Sequence, residues 1–276
     1  MNLVVQGPSM TAEQAFELAG MAGSTRVLKI APQAWRIRNA APTDAIAPHC
    51  EKARIDFAFI PEGLRFAELK LLAMDMDSTL ITIECIDELG DLAGRKAEIA
   101  AITAQAMRGE IEYRESLRRR VKSLAGLPES SLATIYEQRL KLTPGAEKLV
   151  ESCRKNGVRL LLVSGGFTFF TERLKARLGL DHTISNVLEI ESGKLTGALV
   201  GEIVDADAKA AKFRTVMKTL NASKDQSVAI GDGANDLKMM KEAGISVAFR
   251  AKPVVRAQAS CALNWSGLDA VLNLFE

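Results

Sequence analysis

The chain has 276 residues, of which 47% are hydrophobic and 25% charged, so it can form one large globular domain or two unequal ones. Its formal net charge of +2 gives no electrostatic reason to expect nucleic acid or a membrane surface as a partner. No apolar run approaches the roughly 20 residues of a membrane span, and the N-terminus lacks the basic and apolar regions of a signal peptide. The four cysteines are scattered without a CxxC pair, which favours free thiols and a cytoplasmic location.

Residues 1–68 are predicted to form a small α+β domain. Strands are predicted at 3–6, 27–30, 34–37 and 55–60, and helices at 11–20, with Thr11 as N-cap, and at 43–49. Pro61-Glu62-Gly63 then breaks the pattern and marks a boundary. This βαββαβ order resembles ACT-type regulatory domains at the level of pattern alone. We expect the unit to serve in assembly, compatible with a homodimer, rather than as an amino-acid sensor.

Residues 69–276 are predicted to form an α/β domain. Apolar strands are expected at 69–74, 158–163, 227–230 and 245–249, with a hairpin at 187–204. Helices are expected from the N-cap Thr143 to Asn156 and at 169–178, 207–220 and 237–243, while the pattern between about 88 and 142 is helical throughout. This alternation predicts a doubly wound parallel sheet, built from 69–84 and 143–276 and interrupted by a helical insertion at 85–142.

Three of these strands end in polar or glycine-rich motifs. The first strand is followed by Asp75 and Asp77, which alternation places on the same side of the chain. Two carboxylates at such a short distance repel each other, which is costly unless a cation or a proton accompanies them. Ligands of open α/β sheets bind at the carboxyl ends of the strands. The pair should therefore converge there with the two other motifs, Ser164/Gly165 and Asp232/Asn235/Asp236.

The residue types in these motifs suit phosphoryl transfer. A carboxylate can act as nucleophile, and a second one can protonate the leaving oxygen and then deprotonate water. A hydroxyl, a glycine amide and a lysine can hold the phosphate oxygens. Carboxylate ligands suit Mg²⁺, and with only two histidines in the chain a histidine-rich metal site is disfavoured.

The helix predicted at 112–125 contains three consecutive arginines, of which Arg120 lies nearest the apolar stripe of Leu117, Val121 and Leu124. An unpaired charge beside an apolar stripe is costly, so Arg120 needs a partner. That partner is either an internal carboxylate or the carboxylate of a ligand, and the helix pattern does not distinguish them. Arg118 and Arg119 point away and are predicted to be solvated.

Four motifs together resemble those of haloacid dehalogenase-like phosphatases: Asp75-Met76-Asp77-Ser78-Thr79, Ser164-Gly165-Gly166, Lys209, and Gly231-Asp232-Gly233-Ala234-Asn235-Asp236. Glu84 and the segment 116–121 are more specifically similar to the phosphoserine phosphatase family. The resemblance covers residues 69–276. Lys209 competes for its role with Lys212 and Lys194.

This resemblance implies a role for each residue in hydrolysis of the small molecule O-phospho-L-serine. It implies that Asp75 is the nucleophile and that Asp77 is the general acid and then base. Mg²⁺ would be bound by Asp75, the Asp77 backbone carbonyl and Asp232, with Asp236 behind them. The phosphate would be held by Ser164, Gly165 and Lys209, with Asn235 also binding substrate. Glu84 would face the ammonium and Arg120 the carboxylate, under a mobile cap formed by 85–142.

Two other functions stay open at this stage. A phosphotransferase would pass the phosphoryl group from Asp75 to another amino-acid hydroxyl, such as that of homoserine, instead of to water. A non-catalytic amino-acid sensor built around residues 1–68 is disfavoured by the intact set of acids. A dehalogenase is disfavoured because Asp77 supplies a proton donor that halide departure does not need.

Overall fold

The structure is a computed structural model that describes all 276 residues. The N-terminal part is a four-stranded antiparallel sheet in the order β2-β3-β1-β4. Helices α1 and α2 pack on one face of it, through Leu18, Ile46 and Cys50 against Leu3 and Ile37. This βαββαβ arrangement is ferredoxin-like, which confirms the small α+β domain; the ACT-type label stays a prediction. Its elements are β1 Asn2–Gln6, α1 Ala12–Met21, β2 Arg26–Ala31, β3 Ala34–Arg38, α2 Ile46–Ala53 and β4 Asp56–Ile60.

One predicted helix of this domain is capped as expected, and the other is displaced. Thr11 and Gln14 form the reciprocal capping box at the start of α1. The helix predicted at 43–49 begins instead at Ile46, because the Thr43 carbonyl and hydroxyl accept hydrogen bonds from the Ile46 and Ala45 amides and form a turn.

The second sheet has seven strands in the order β11-β10-β9-β5-β6-β7-β8. All pairs are parallel except the hairpin β7–β8, so the predicted doubly wound α/β fold is confirmed. Its strands are β5 Leu71–Met74, β6 Arg159–Phe167, β7 His182–Glu191, β8 Lys194–Val200, β9 Ser227–Gly231, β10 Ile245–Phe249 and β11 Cys261–Leu263.

Alternate residues of the central strands feed two hydrophobic cores, one on each face of the sheet. Leu71 and Ala73 contribute to a core with α9 and α10, whereas Leu72 and Met74 contribute to a larger core with α7 and α8. This placement requires the strands to be apolar on both faces. The covering helices are α7 Ala146–Lys155, α8 Thr168–Leu178, α9 Ala206–Thr219, α10 Leu237–Glu242 and the short α11 Pro253–Arg256.

Four helices between β5 and α7 form the insertion that the sequence predicted. They are α3 Cys85–Leu92, α4 Lys96–Met107, α5 Tyr113–Lys122 and α6 Ser130–Gln138. We call residues 85–142 the cap. The exact division of the chain at residues 68, 85 and 142 stays a prediction.

Two expectations for the second domain are wrong, and two of its elements were not predicted. Helix α7 begins at Ala146 rather than being capped by Thr143, because Gly145 adopts a left-handed conformation (φ 85°) and the Pro144 carbonyl accepts the Leu268 amide. Strand β6 does not end before Ser164 but resumes pairing at Phe167 after an irregularity. Strand β11 and the final 3₁₀ helix, Leu268–Leu274, were not predicted.

The N-terminal sheet packs its other face on the C-terminal segment through buried polar side chains. Arg36 donates to the carbonyls of Asn273 and Phe275 and lies 3.2 Å from Glu276 Oε1. Asp56, which is 1% exposed, accepts the backbone amides of residues 264–266. No helix of the structure is long and apolar enough to cross a membrane.

Candidate active site

The loop that follows β5 positions the two predicted catalytic carboxylates. The Leu80 and Ile81 amides donate to the Asp75 and Met76 carbonyls, which closes a wide turn with i→i+5 hydrogen bonds. Ser78 takes a left-handed conformation (φ 54°) inside this turn, which is uncommon for a residue with a Cβ and typical of functional loops. The turn holds Asp75 and Asp77 at the carboxyl edge of the sheet.

Asp75 is fixed by a buried lysine. Lys209 Nζ lies 2.7 Å from Asp75 Oδ1 and 2.8 Å from Asp236 Oδ1. Burial by itself lowers the pKa of Lys209, but the carboxylates of Asp236 and Asp75 raise it by more, so the ammonium stays charged. Among the three candidate lysines, Lys209 alone contacts the acids. Asp75 Oδ2 is left free of protein hydrogen bonds.

Three aspartates form a cluster around this lysine. The nearest oxygens of Asp75, Asp232 and Asp236 all lie within 4.8 Å of one another. Burial first, and then the Asp236 charge, raise the pKa of Asp75 well above its usual value and that of Asp232 to about 7. The single positive charge of Lys209 therefore does not balance the three carboxylates that share this buried site.

The donor set of this cluster fits a hard divalent cation. The three residues offer only oxygen, and no histidine or cysteine is among them. Asp236 has both oxygens engaged, one by Lys209 and one by the Gly233 amide at 3.1 Å, so Asp75 and Asp232 are freer to bind a metal. Thr79 donates to Asp232 Oδ1 at 3.4 Å and orients it.

The Asp77 side chain points away from this cluster. Its Oδ1 accepts the Cys85 amide at 2.8 Å, and its Oδ2 lies 3.4 Å from Ser164 Oγ. Burial, followed by the nearby Glu84 charge, raises the pKa of Asp77 to about 7. A carboxyl group with this pKa can hold a proton near neutral pH and later take one back.

The turn after Val163 carries Ser164 and Gly165. Ser164 Oγ accepts the Gly166 amide at 2.8 Å, and Gly165 lines the cavity. Asn186, which is 2% exposed, donates to the Gly165 carbonyl and accepts the Val204 amide, both at 2.8 Å. Asn186 therefore braces this turn. Sequence analysis did not identify Asn186, because it lies within a strand and belongs to no motif.

A cavity of about 810 Å³ lies between the cap and the sheet edge. Glu84 enters from the start of α3 and accepts the Ser78 hydroxyl at 2.5 Å. Arg120 enters from α5 and forms no salt bridge within 4.0 Å; its Nε donates a long hydrogen bond to the Ser116 carbonyl, at 3.4 Å. Arg120 therefore forms no internal salt bridge and lines the cavity, while its charge opposes the effect of burial on the pKa of Asp87 and Glu84. The predicted residues in the lining are Asp75, Asp77, Glu84, Arg120, Gly165, Asp232 and Asn235.

Comparisons with known proteins agree with this architecture. A model for the haloacid dehalogenase-like hydrolase family matches residues 72–241. The chain belongs to the haloacid dehalogenase-like hydrolase family. Phosphatases of this family are metal-dependent, and this structure contains a cluster of three aspartates, Asp75, Asp232 and Asp236. A second model, for a domain of unknown function (DUF4072), matches residues 3–46.

Individual relatives within this family include phosphoserine phosphatases. The chain is 54% identical over 216 residues to a phosphoserine phosphatase of Polaromonas, covering 76% of this chain and 92% of the relative. A solved hydrolase of the same family from Salmonella enterica superposes over 100% of this chain and 98% of its own, with a TM-score of 0.89 and 30% identity. A phosphoserine phosphatase solved as a phospho-aspartyl intermediate analogue covers 75% of this chain and 99% of its own, with a TM-score of 0.71 and 36% identity.

Proposed function

We propose that this chain is a phosphoserine phosphatase, a phosphoric monoester hydrolase that converts O-phospho-L-serine to L-serine and phosphate in the last step of serine biosynthesis. The observation that carries this proposal is that one carboxylate oxygen of Asp75 is free to react. Lys209 holds Asp75 Oδ1, whereas Oδ2 has no hydrogen-bond partner in the protein. Asp75 lines the same cavity as Glu84 and Arg120.

The chain's own residues provide the first nucleophile and the general acid and base, and water provides the second nucleophile. Asp75 attacks phosphorus while the bond to the seryl oxygen breaks, and the protonated Asp77 gives its proton to that oxygen. Serine leaves, and an aspartyl-phosphate remains on Asp75. Asp77 then takes a proton from water, which attacks this phosphorus and releases phosphate, with Asp75 returning as a carboxylate.

The metal proposed for the site is Mg²⁺, because every available ligand is a hard oxygen. It would be held by Asp75, the backbone carbonyl of Asp77 and Asp232. When bound, it neutralises charge on the phosphoryl oxygens. Asp236 would act from behind, by orienting Lys209 and the Gly233 amide.

Substrate binding is proposed to divide between two ends of the cavity. At the phosphoryl end, Ser164, the Gly165 amide and Lys209 would hold the phosphate oxygens, and Asn235 would also bind substrate. At the amino-acid end, the unpaired guanidinium of Arg120 would bind the carboxylate and Glu84 would bind the ammonium. Burial raises the pKa of Glu84, while Lys252 and Arg120 lower it, so a substrate ammonium would further favour its ionised form.

The protein's setting is also a proposal. We place the enzyme in the cytoplasm, where four buried free thiols are compatible with reducing conditions. A homodimer is compatible with β2, the free edge of the N-terminal sheet, where Leu28 is 48% exposed. The cap would open to admit substrate and close to exclude water.

The test is phosphate release from O-phospho-L-serine, O-phospho-L-threonine and p-nitrophenyl phosphate, each with Mg²⁺ and with EDTA. We expect turnover only with Mg²⁺ and a marked preference for phosphoserine. Mg²⁺-dependent turnover without that preference would contradict the substrate assignment. Formation of phosphohomoserine when homoserine is supplied would favour the phosphotransferase instead.

A further inference from the structure

Tyr113 lies close to the proposed catalytic residues but has no role in the reaction described above. It is the first residue of α5, and its ring packs against the large core beneath the cap. Its hydroxyl lies directly against Gly165, so that a methyl group on that glycine would collide with Tyr113 Oη. A side chain at residue 165 would therefore have to displace the tyrosine hydroxyl of the cap.

The hydroxyl has no protein hydrogen-bond partner, although charged groups surround it. Burial is the largest influence on the Tyr113 phenol, followed by the charges of Lys209, Arg120, Asp75 and Asp77. No hydrogen bond is among these influences. Burial raises the pKa of Tyr113 above its ordinary value, so the group is a neutral O–H donor at physiological pH.

The position of Tyr113 on α5 indicates which end of the substrate it meets. Arg120 lies seven residues further along the same helix, roughly 10 Å along its axis. Because Arg120 is placed at the amino-acid end of the cavity, Tyr113 lies towards the phosphoryl end, beside Gly165. An unpaired donor at that point faces the oxygens that the Gly165 amide would bind.

We propose that Tyr113 Oη donates a hydrogen bond to a non-bridging oxygen of the phosphoryl group, both in the substrate and in the aspartyl-phosphate. The inference rests on the proposed function, since it places the phosphate at Ser164 and Gly165. It makes Tyr113 a catalytic residue delivered by the cap, so that full stabilisation of the phosphoryl group requires the cap to be closed. The reaction itself gains no new proton transfer, because the phenol remains protonated throughout.

Tyr113→Phe removes this hydroxyl and keeps the ring that packs on the core. Removal of a hydrogen bond to a charged group is expected to lower kcat/KM by about 10- to 100-fold. We expect this loss on phosphoserine and equally on p-nitrophenyl phosphate, because the contact is to the group that the two substrates share. Inhibition by orthovanadate should weaken by a similar factor, while the thermal unfolding temperature stays unchanged.

The matched control is Tyr136→Phe, which removes the hydroxyl of the chain's other tyrosine. Tyr136 lies in α6, packs against the same core and does not line the cavity, so this variant should match the wild type in every assay. A Tyr113→Phe enzyme with wild-type kcat/KM on both substrates would overturn the inference. A loss confined to phosphoserine would also overturn it, since it would place the hydroxyl on the amino-acid part. Absence of wild-type turnover would instead contradict the proposed function.

Discussion

The active site and the junction between the N-terminal sheet and the C-terminal segment both bury charged side chains, but they satisfy them differently. At the junction, the two oxygens of Asp56 accept amides from Asn264, Trp265 and Ser266 at 2.6, 3.2 and 2.8 Å. In the active site, Asp75, Asp232 and Asp236 crowd within 4.8 Å around a single lysine. At the junction both carboxylate oxygens of Asp56 have internal donors, whereas the three carboxylates of the active site share one lysine and are short of positive charge.

The cationic side chains show the same contrast. Arg36 at the junction bonds two backbone carbonyls and Glu276. Arg120 in the cavity has no carboxylate partner and is only half-buried. The charges at the junction have internal partners and act within the fold, whereas we expect Arg120, which forms no salt bridge beside the cavity, to bind a ligand.

The largest effect is expected from Asp75→Asn. The amide keeps the shape of the side chain but is a poor nucleophile, so turnover of phosphoserine should fall by about 10⁴-fold or more. Because one like charge is removed from a crowded cluster, the unfolding temperature should not fall. The measurements are phosphate release and thermal unfolding without metal. Appreciable turnover in this variant would contradict a nucleophilic role.

Asp232→Asn tests whether the cluster is held for a cation. Burial and the Asp236 charge raise the pKa of Asp232, so loss of its charge should not destabilise the metal-free protein and should raise its unfolding temperature by about 2–4 °C per kcal/mol gained. Wild-type protein should be stabilised by added Mg²⁺, by about 2.7 kcal/mol at a hundred times Kd. The variant should lose this Mg²⁺ response together with activity. An unchanged Mg²⁺ shift would remove Asp232 from the metal site.

Arg120→Ala tests whether an unpaired cation recognises the substrate carboxylate. KM for phosphoserine should rise by about 10- to 100-fold, in line with the loss of a charge-assisted hydrogen bond. KM for p-nitrophenyl phosphate, which has no carboxylate, should change little. Arg119→Ala is the matched control, because Arg119 is exposed and pairs with Glu115 at 2.7 Å. Equal effects of Arg120→Ala on both substrates would contradict the assignment.

The smallest effect on catalysis is expected at the junction. Asp56→Asn places an amide group against backbone donors and should lower the free energy of unfolding by about 1–3 kcal/mol. The variant should keep wild-type kcat with saturating phosphoserine. Asp44→Asn, a change of the same kind at an exposed position of the same domain, should alter neither quantity. Urea unfolding measures the stability difference, and unchanged stability of Asp56→Asn would remove the contrast between the two regions.

The parts of this site that follow strand ends could be predicted from sequence, and the parts that depend on tertiary packing could not. Asp75, Ser164 and Asp232 each follow an apolar run, and parallel strands bring such positions to one edge. Asn186 was missed because its role comes from two backbone groups that are distant in sequence. For the same reason, the predicted N-cap at Thr143 was wrong. Helix α7 begins later because Gly145 is left-handed and the Pro144 carbonyl accepts the distant Leu268 amide.

The hydroxyl of Tyr113 shows a similar limit. Its place on the same face of α5 as Arg120 could be predicted from helical spacing, but its proximity to Gly165 depends on how the cap packs on the sheet edge. The N-terminal domain was predicted because strand alternation is local. Its attachment through Arg36 and Asp56 to residues more than two hundred positions away was not.

The most direct test of the account is to trap the covalent intermediate. Wild-type enzyme with Mg²⁺ would be mixed with ³²P-labelled phosphoserine and quenched in acid within milliseconds. One portion would be counted for protein-bound ³²P before and after hydroxylamine treatment, and another would be reduced with borohydride and mapped by peptide mass spectrometry. We predict protein-bound ³²P that hydroxylamine removes and a reduced residue at position 75, both absent from Asp75→Asn. Label at another residue, or turnover by wild-type enzyme with no trapped intermediate at Asp75, would contradict the account.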